Sequence, residues 1–109
     1  MIHTKKQIEE LVRKLMKDIN RKYLDKNEIF INFEINYKIP IINKIISNCW
    51  HVNVDVQDDQ FNKDEPASIL IYINDDALNF EGYLDCSMGR PIPLLPKKNS
   101  DGTFHLDKF

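Results

Sequence analysis

Four side chains in this sequence are of the types that hold a transition metal or attack a carbonyl: Cys49, His51, Cys86 and His105. Structural zinc sites bring two ligands from one short segment, as C-x₂₋₄-C or H-x₃₋₅-H, and neither spacing occurs here. Cys49 and His51 are two residues apart on an extended run, which separates them by about 6.5–7 Å and keeps a thiolate from an imidazolium. Asp55, Glu81 and Asp85 could join His51 in acid–base work. A carboxylate needs an apolar pocket to raise its pKa for that task, however, and an outward sheet face offers none. The three glycines form no phosphate-cradling array. The residues therefore predict no metal, no cofactor and no catalytic site, with a small hydrolase or metal-dependent enzyme on Cys49, His51 and Asp85 as an alternative.

The elements that must position these groups follow from hydropathy periods. Thr4 and Gln7 form a capping-box pattern, and Ile8, Leu11, Val12, Leu15, Met16, Ile19 and Tyr23 recur at helical steps. This spacing predicts an amphipathic helix over about 4–24, with Glu9–Arg13, Glu10–Lys14 and Asp18–Lys22 pairs on its polar face. The period then changes to two. Strands are expected over about 28–39, 49–57, 68–74 and 77–86, with Pro40 interrupting the first. A two-residue turn at Asn43 and Lys44 would set Phe33 beside Val54 and Tyr37 beside Trp50, although residues 41–46 fit a helical turn equally well. A turn at Asp75 and Asp76 would set Ile73 beside Leu78 and Ile71 beside Phe80. Gly82, in mid-strand, implies a bulge or a close approach of the helix. Pro91, Pro93 and Pro96 predict an extended strap over 88–109 that cannot be a central strand, with a short edge strand near 103–106. One domain of 109 residues results. It is an α+β fold with one helix on an antiparallel four- to five-stranded sheet, like the helix-gripped sheets of cystatin-like folds.

Charge divides this chain. Residues 1–24 carry seven basic side chains against three acidic ones, and residues 25–109 carry eight against fourteen. The acidic half repels nucleic acid and attracts a basic partner. A charged N-terminus without an apolar stretch argues against a secretory signal, and the longest apolar runs fall far short of the ~20 residues of a membrane span. Two cysteines suit a reducing compartment, so a cytoplasmic location is expected.

Alternation places Phe30, Leu70, Tyr72 and Tyr83 on the sheet face away from the helix, among Asp55, Glu81 and Asp85. Tyrosines ringed by acids make a plausible hot spot for a protein with a basic surface. Asp55, Asp58, Asp59, Tyr72, Glu81, Tyr83 and Asp85 are the predicted partner-binding residues. Covering of the aromatics by Ile92, Leu94 and Leu95 of the strap is the competing reading. If the face is open, Tyr72→Ala with Glu81→Lys should leave the melting temperature nearly unchanged and abolish partner capture.

In size, acidity, lack of a catalytic motif and an Ile-, Lys- and Asn-rich composition of the kind AT-rich bacterial or phage genomes encode, the chain resembles the small immunity proteins of bacterial toxin–immunity systems of the contact-dependent inhibition type. The resemblance implies a non-enzymatic inhibitor that blocks a cognate toxin, often a nuclease with a basic cleft. Asp55, Tyr72, Glu81, Tyr83 and Asp85, with the 58–65 loop, would then mimic phosphate charge. A secretion chaperone or phage accessory protein binding extended peptide as a homodimer is the other binding class.

Overall fold

The computed structural model describes residues 1–57, 66–87 and 90–109. Asp58 and Asp59, two of the expected partner-binding acids, lie outside the described residues.

Helix α1 (Lys5–Asp18) opens with the anticipated capping box. Thr4 Oγ1 accepts from the Gln7 amide at 3.2 Å, and the Gln7 side chain accepts from the Thr4 N–H at 2.7 Å. It ends earlier than the apolar stripe predicts. Asn20 adopts a left-handed φ of 56°, its amide donates to the Lys17 carbonyl, and the Arg21 amide donates to the Met16 carbonyl at 2.9 Å. This is a Schellman closure, and asparagine is one of the few residues that enter it at little cost. Lys22 consequently lies beyond the helix, and Asp18 pairs with Lys14 instead, while Glu9–Arg13 forms at 3.8 Å. Asn20→Gly should retain stability or raise it by a few tenths of a kcal/mol, whereas Asn20→Val should lower it by about 1 kcal/mol. Thermal unfolding of the two variants checks this.

Among the described residues six strands form one antiparallel meander: β1 (Phe30–Lys38), β2 (Ile45–Gln57), β3 (Pro66–Asn74), β4 (Asn79–Asp85), β5 (Ile92–Lys98) and β6 (Phe104–Lys108), in that spatial order. The α+β class is as expected, but the sheet is larger than the four to five strands anticipated. The proline-rich segment is an interior strand, not a strap. β5 tolerates Pro93 and Pro96 because each of its flanks is paired over only part of its length. Residues 92–94 face β4 and residues 94–98 face β6. Pro93 therefore has no partner in β6 and Pro96 none in β4, so a missing N–H has a side with no ladder to break.

Helix α1 covers one sheet face. Ile8, Val12, Leu15 and Met16 are fully buried against Ile31, Trp50, Val52, Val54, Ile69, Ile71, Ile73, Phe80 and Tyr83. Burial of each such aliphatic side chain contributes about 2 kcal/mol, which makes this layer the main source of stability. β1 and β2 reach it through a register that pairs Phe33 with Trp50 and Ile31 with Val52. That register is shifted by an even number of residues from a two-residue turn at Asn43 and Lys44, which leaves Ile31, Phe33, Trp50 and Val52 on the helix side.

The first hairpin is longer than β3, whose pairing with β2 begins at Cys49 and Asn74. Residues 35–48 thus project as a two-stranded ribbon. Asn36, with a φ of 52°, and the opposing Ser47 are skipped in the pairing, and beyond them the ribbon changes faces. Tyr37, Ile39, Ile42 and Ile46 turn onto the sheet face away from α1, where they pack with Cys49, Leu70, Tyr72 and Leu84. The molecule therefore has three layers: helix, sheet and folded-back ribbon.

Candidate functional site

The ribbon decides what the outer sheet face can do. Its tip is closed by hydrogen bonds from the Ile39 amide to the Lys44 carbonyl at 2.8 Å and from the Asn43 amide to the Ile39 carbonyl at 3.1 Å. Ile42 comes so close to the sheet that a Cβ on Gly82 would lie 3.1 Å from its Cδ1. The close approach inferred at Gly82 is real, but the neighbour is this ribbon and not the helix. Lys44 reaches down to the Glu81 carboxylate, which also accepts from the Asn79 amide side chain.

Under this cover the anticipated tyrosine surface does not exist. Tyr72 is 2 % exposed beneath the ribbon, with the Tyr37 ring stacked 5.7 Å from its own. Burial pushes its phenol well above the usual tyrosine range. Tyr83 is 1 % exposed and lies on the opposite, helix-facing side. A bulge explains the change of face. β3 and β4 pair Ile73 with Phe80, the register shifts, and Tyr72 then pairs with Gly82 and Ile71 with Tyr83. The extra residue is Glu81, so every side chain after it points opposite to simple alternation. Leu84 moves outward and Tyr83 inward.

The acids scatter with the same register. Glu81 is buried at 7 % exposure and held by Lys44. Asp85 turns towards the helix side, where its carboxylate accepts from the Ser87 hydroxyl and lies 4.0 Å from Arg21. Asp55 remains on the outer face, half-buried, accepting from the Asn27 amide side chain at 2.9 Å. Tyr72, Glu81, Tyr83 and Asp85 thus serve packing and internal pairing, not an open surface.

The chemistry-bearing residues separate similarly. Cys49 is fully buried, and loss of solvent pushes its thiol up to about 12, so it stays protonated at neutral pH. His51 stacks on Tyr37 with ring centroids 4.7 Å apart and lies 3.3 Å from the Glu34 carboxylate. Asp85 is across the sheet from both, so a hydrolase assembled from Cys49, His51 and Asp85 has no geometry. Among the described residues no cluster of three or more His, Cys, Asp or Glu side chains could hold a metal ion. His105 is remote, bonded to Asn99.

Sequence reasoning did not reveal two features. One is Asp75, fully buried in the β3–β4 turn, where it accepts hydrogen bonds from Trp50 Nε1 at 2.9 Å and from the amides of Ile2 and His3. The other is the outward side of the ribbon. Ile35 is 69 % exposed, Ile41 56 % and Ile45 63 %. Ile41 also holds a φ of 72°, a left-handed conformation that a β-branched residue strongly resists. The isoleucine pairs around Pro40 were visible in the sequence, but which members face solvent depends on the fold-back.

No family model matches the chain, and no curated protein or solved structure matches it. No helix among the described residues is long and apolar enough to cross a membrane.

Proposed function

We propose that this chain is a non-enzymatic protein-binding module, an immunity-type inhibitor that neutralises a basic cognate toxin by docking through the outward side of the β1–β2 ribbon. The observation that carries this reading is the row of exposed isoleucines, Ile35, Ile41 and Ile45, on a ribbon that projects beyond β3. Apolar side chains of this size in water, one of them on a disfavoured backbone, run against the local rules that otherwise shape the fold, and such departures concentrate where a surface is used. A buried isoleucine anchor within a polar rim is the common anatomy of a tight protein interface. Lys38, opposite Ile45, supplies part of that rim. The excess of acids over bases in residues 25–109 favours a basic partner and speeds its approach.

The test is genetic and biophysical. The product of the adjoining reading frame should arrest growth when expressed alone, and co-expression of this chain should relieve the arrest. Ile41→Asn removes the apolar anchor and places a residue that accepts left-handed φ, so its melting temperature should equal or exceed the parent's, by up to about 1 kcal/mol in stability. Protection should nevertheless be lost. Full protection by Ile41→Asn and Ile45→Asp together would remove the ribbon as the docking surface.

A further inference from the structure

The sheet splits between β4 and β5. Their pairing runs from Asp85 and Ile92 to Tyr83 and Leu94 and then stops, although both strands continue. Continuing the same register would set Gly82 beside Leu95, Glu81 beside Pro96 and Phe80 beside Lys97. The Glu81 bulge and the missing N–H of Pro96 end the ladder there. β4 stays with β3 as far as Asn79, while β5 stays with β6 to Lys98 and Phe104. The two halves diverge around a wedge-shaped cleft of about 350 Å³.

The cleft has an apolar floor and a cationic rim. Leu11 of the helix, Phe80, Leu95 and Phe104 line it, and the Phe80 and Phe104 rings pack edge to face on each other with centroids 5.1 Å apart. Lys97 and Lys98 stand at the mouth. Lys97 is engaged by Asp107 at 3.3 Å, and Lys14, whose ammonium lies 5.2 Å from the Phe104 ring, is engaged by Asp18. Lys98, 6.0 Å from the same ring, makes no ion pair among the described residues. Among the described residues Lys98 is thus the one of these three lysines without an ion-pair partner, beside a pocket whose volume is at the small end of ligand sites.

We propose that this wedge binds a small amphipathic carboxylate, with its apolar body against Leu11, Leu95 and the Phe104 ring and its acid group at the Lys98 ammonium. The site is independent of the ribbon and of any toxin. A hydrocarbon or flat aromatic body gains transfer free energy from leaving water, and the carboxylate supplies the charge that Lys98 lacks. A body of roughly ten heavy atoms fits, and ordinary ligand efficiencies put its dissociation constant at about 0.1 mM.

Titration of the intact chain with decanoate and with 2-naphthoate, followed by ¹⁵N and methyl NMR shifts and by calorimetry, tests this; the two acids distinguish a linear from a planar body. At least one of them should bind one-to-one and shift the signals of Leu11, Phe80, Leu95 and Phe104. Decanol should bind at least tenfold more weakly than decanoate. Lys98→Glu, a change at an exposed position that leaves the fold intact, should weaken carboxylate binding at least tenfold, and Leu78→Glu at the rim should do the same. The proposal is overturned if neither acid shifts the wedge signals at about 1 mM, if decanol binds as well as decanoate, or if Lys98→Glu leaves the affinity unchanged.

Discussion

Replacing Asp75 by asparagine is expected to lower the melting temperature by roughly 10 °C. The carboxylate is fully buried in the β3–β4 turn, yet it is satisfied from several directions: Trp50 Nε1, the Ile2 and His3 amides and His3 Nδ1 all lie within hydrogen-bonding distance. Burial by itself opposes the charged form, but these donors outweigh it and hold the pKa down to about 2, against an ordinary value of 3.8. A folded-state value below the unfolded one means that the charge stabilises the protein above about pH 4. That contribution, about 2 kcal/mol, is then lost as the pH falls from about 4 towards 2. Asparagine removes the charge and turns an N–H₂ group towards donors, which adds a desolvation cost of about 1 kcal/mol. Thermal melts between pH 2 and pH 7 should show the parent losing stability over the acid limb and Asp75→Asn starting lower with a flatter limb. Asp76→Asn, at the exposed neighbour, should shift the melt by no more than about 2 °C. Equal effects at both positions would mean that the N-terminal arm is not tied down by Asp75.

Tyr72→Ala is expected to cost about 3 kcal/mol, the usual loss for removing a buried aromatic ring. The cavity would open directly beneath the ribbon, among Tyr37, Ile39, Leu84 and Cys49. Tyr72→Phe keeps the ring and should cost less than about 1 kcal/mol. Adding Glu81→Lys to Tyr72→Ala sets a second ammonium against Lys44 and removes the pairing that pins the tip, so the double variant should lie close to global unfolding for a domain of ordinary stability. This reverses the expectation drawn from strand alternation, under which the same pair leaves the melt unchanged. Urea unfolding of the single and double variants decides between them, since an unchanged midpoint would mean that Tyr72 is uncovered.

The residues that were legible are those whose partners are near in sequence. Thr4 and Gln7 cap a helix because each can reach the other's backbone within one turn, and the stripe from Ile8 to Met16 has only one continuous face to bury. The alternations in β2 and β3 were equally plain, because a period of two is a property of each strand alone, whereas those of β1 and β4 hold only as far as Asn36 and Glu81. Asn20 was a readable stop that the apolar Tyr23 obscured. Register was less accessible, as any even shift keeps the same faces inward and only the closing geometry of residues 39–44 selects one.

What tertiary structure alone decided was which side chains end up covered. The Glu81 bulge changes the orientation of Tyr83 and Asp85 without changing the local composition, and it sets Gly82 opposite Tyr72 beneath Ile42. The ribbon's fold-back at Asn36 buries Tyr72 and exposes Ile41, two outcomes that no periodicity encodes. Composition determined one helix, an antiparallel sheet and an acidic β-half. The choice between surface and interior for its tyrosines belonged to contacts between residues some forty positions apart, whose energies exist only once the chain has closed on itself.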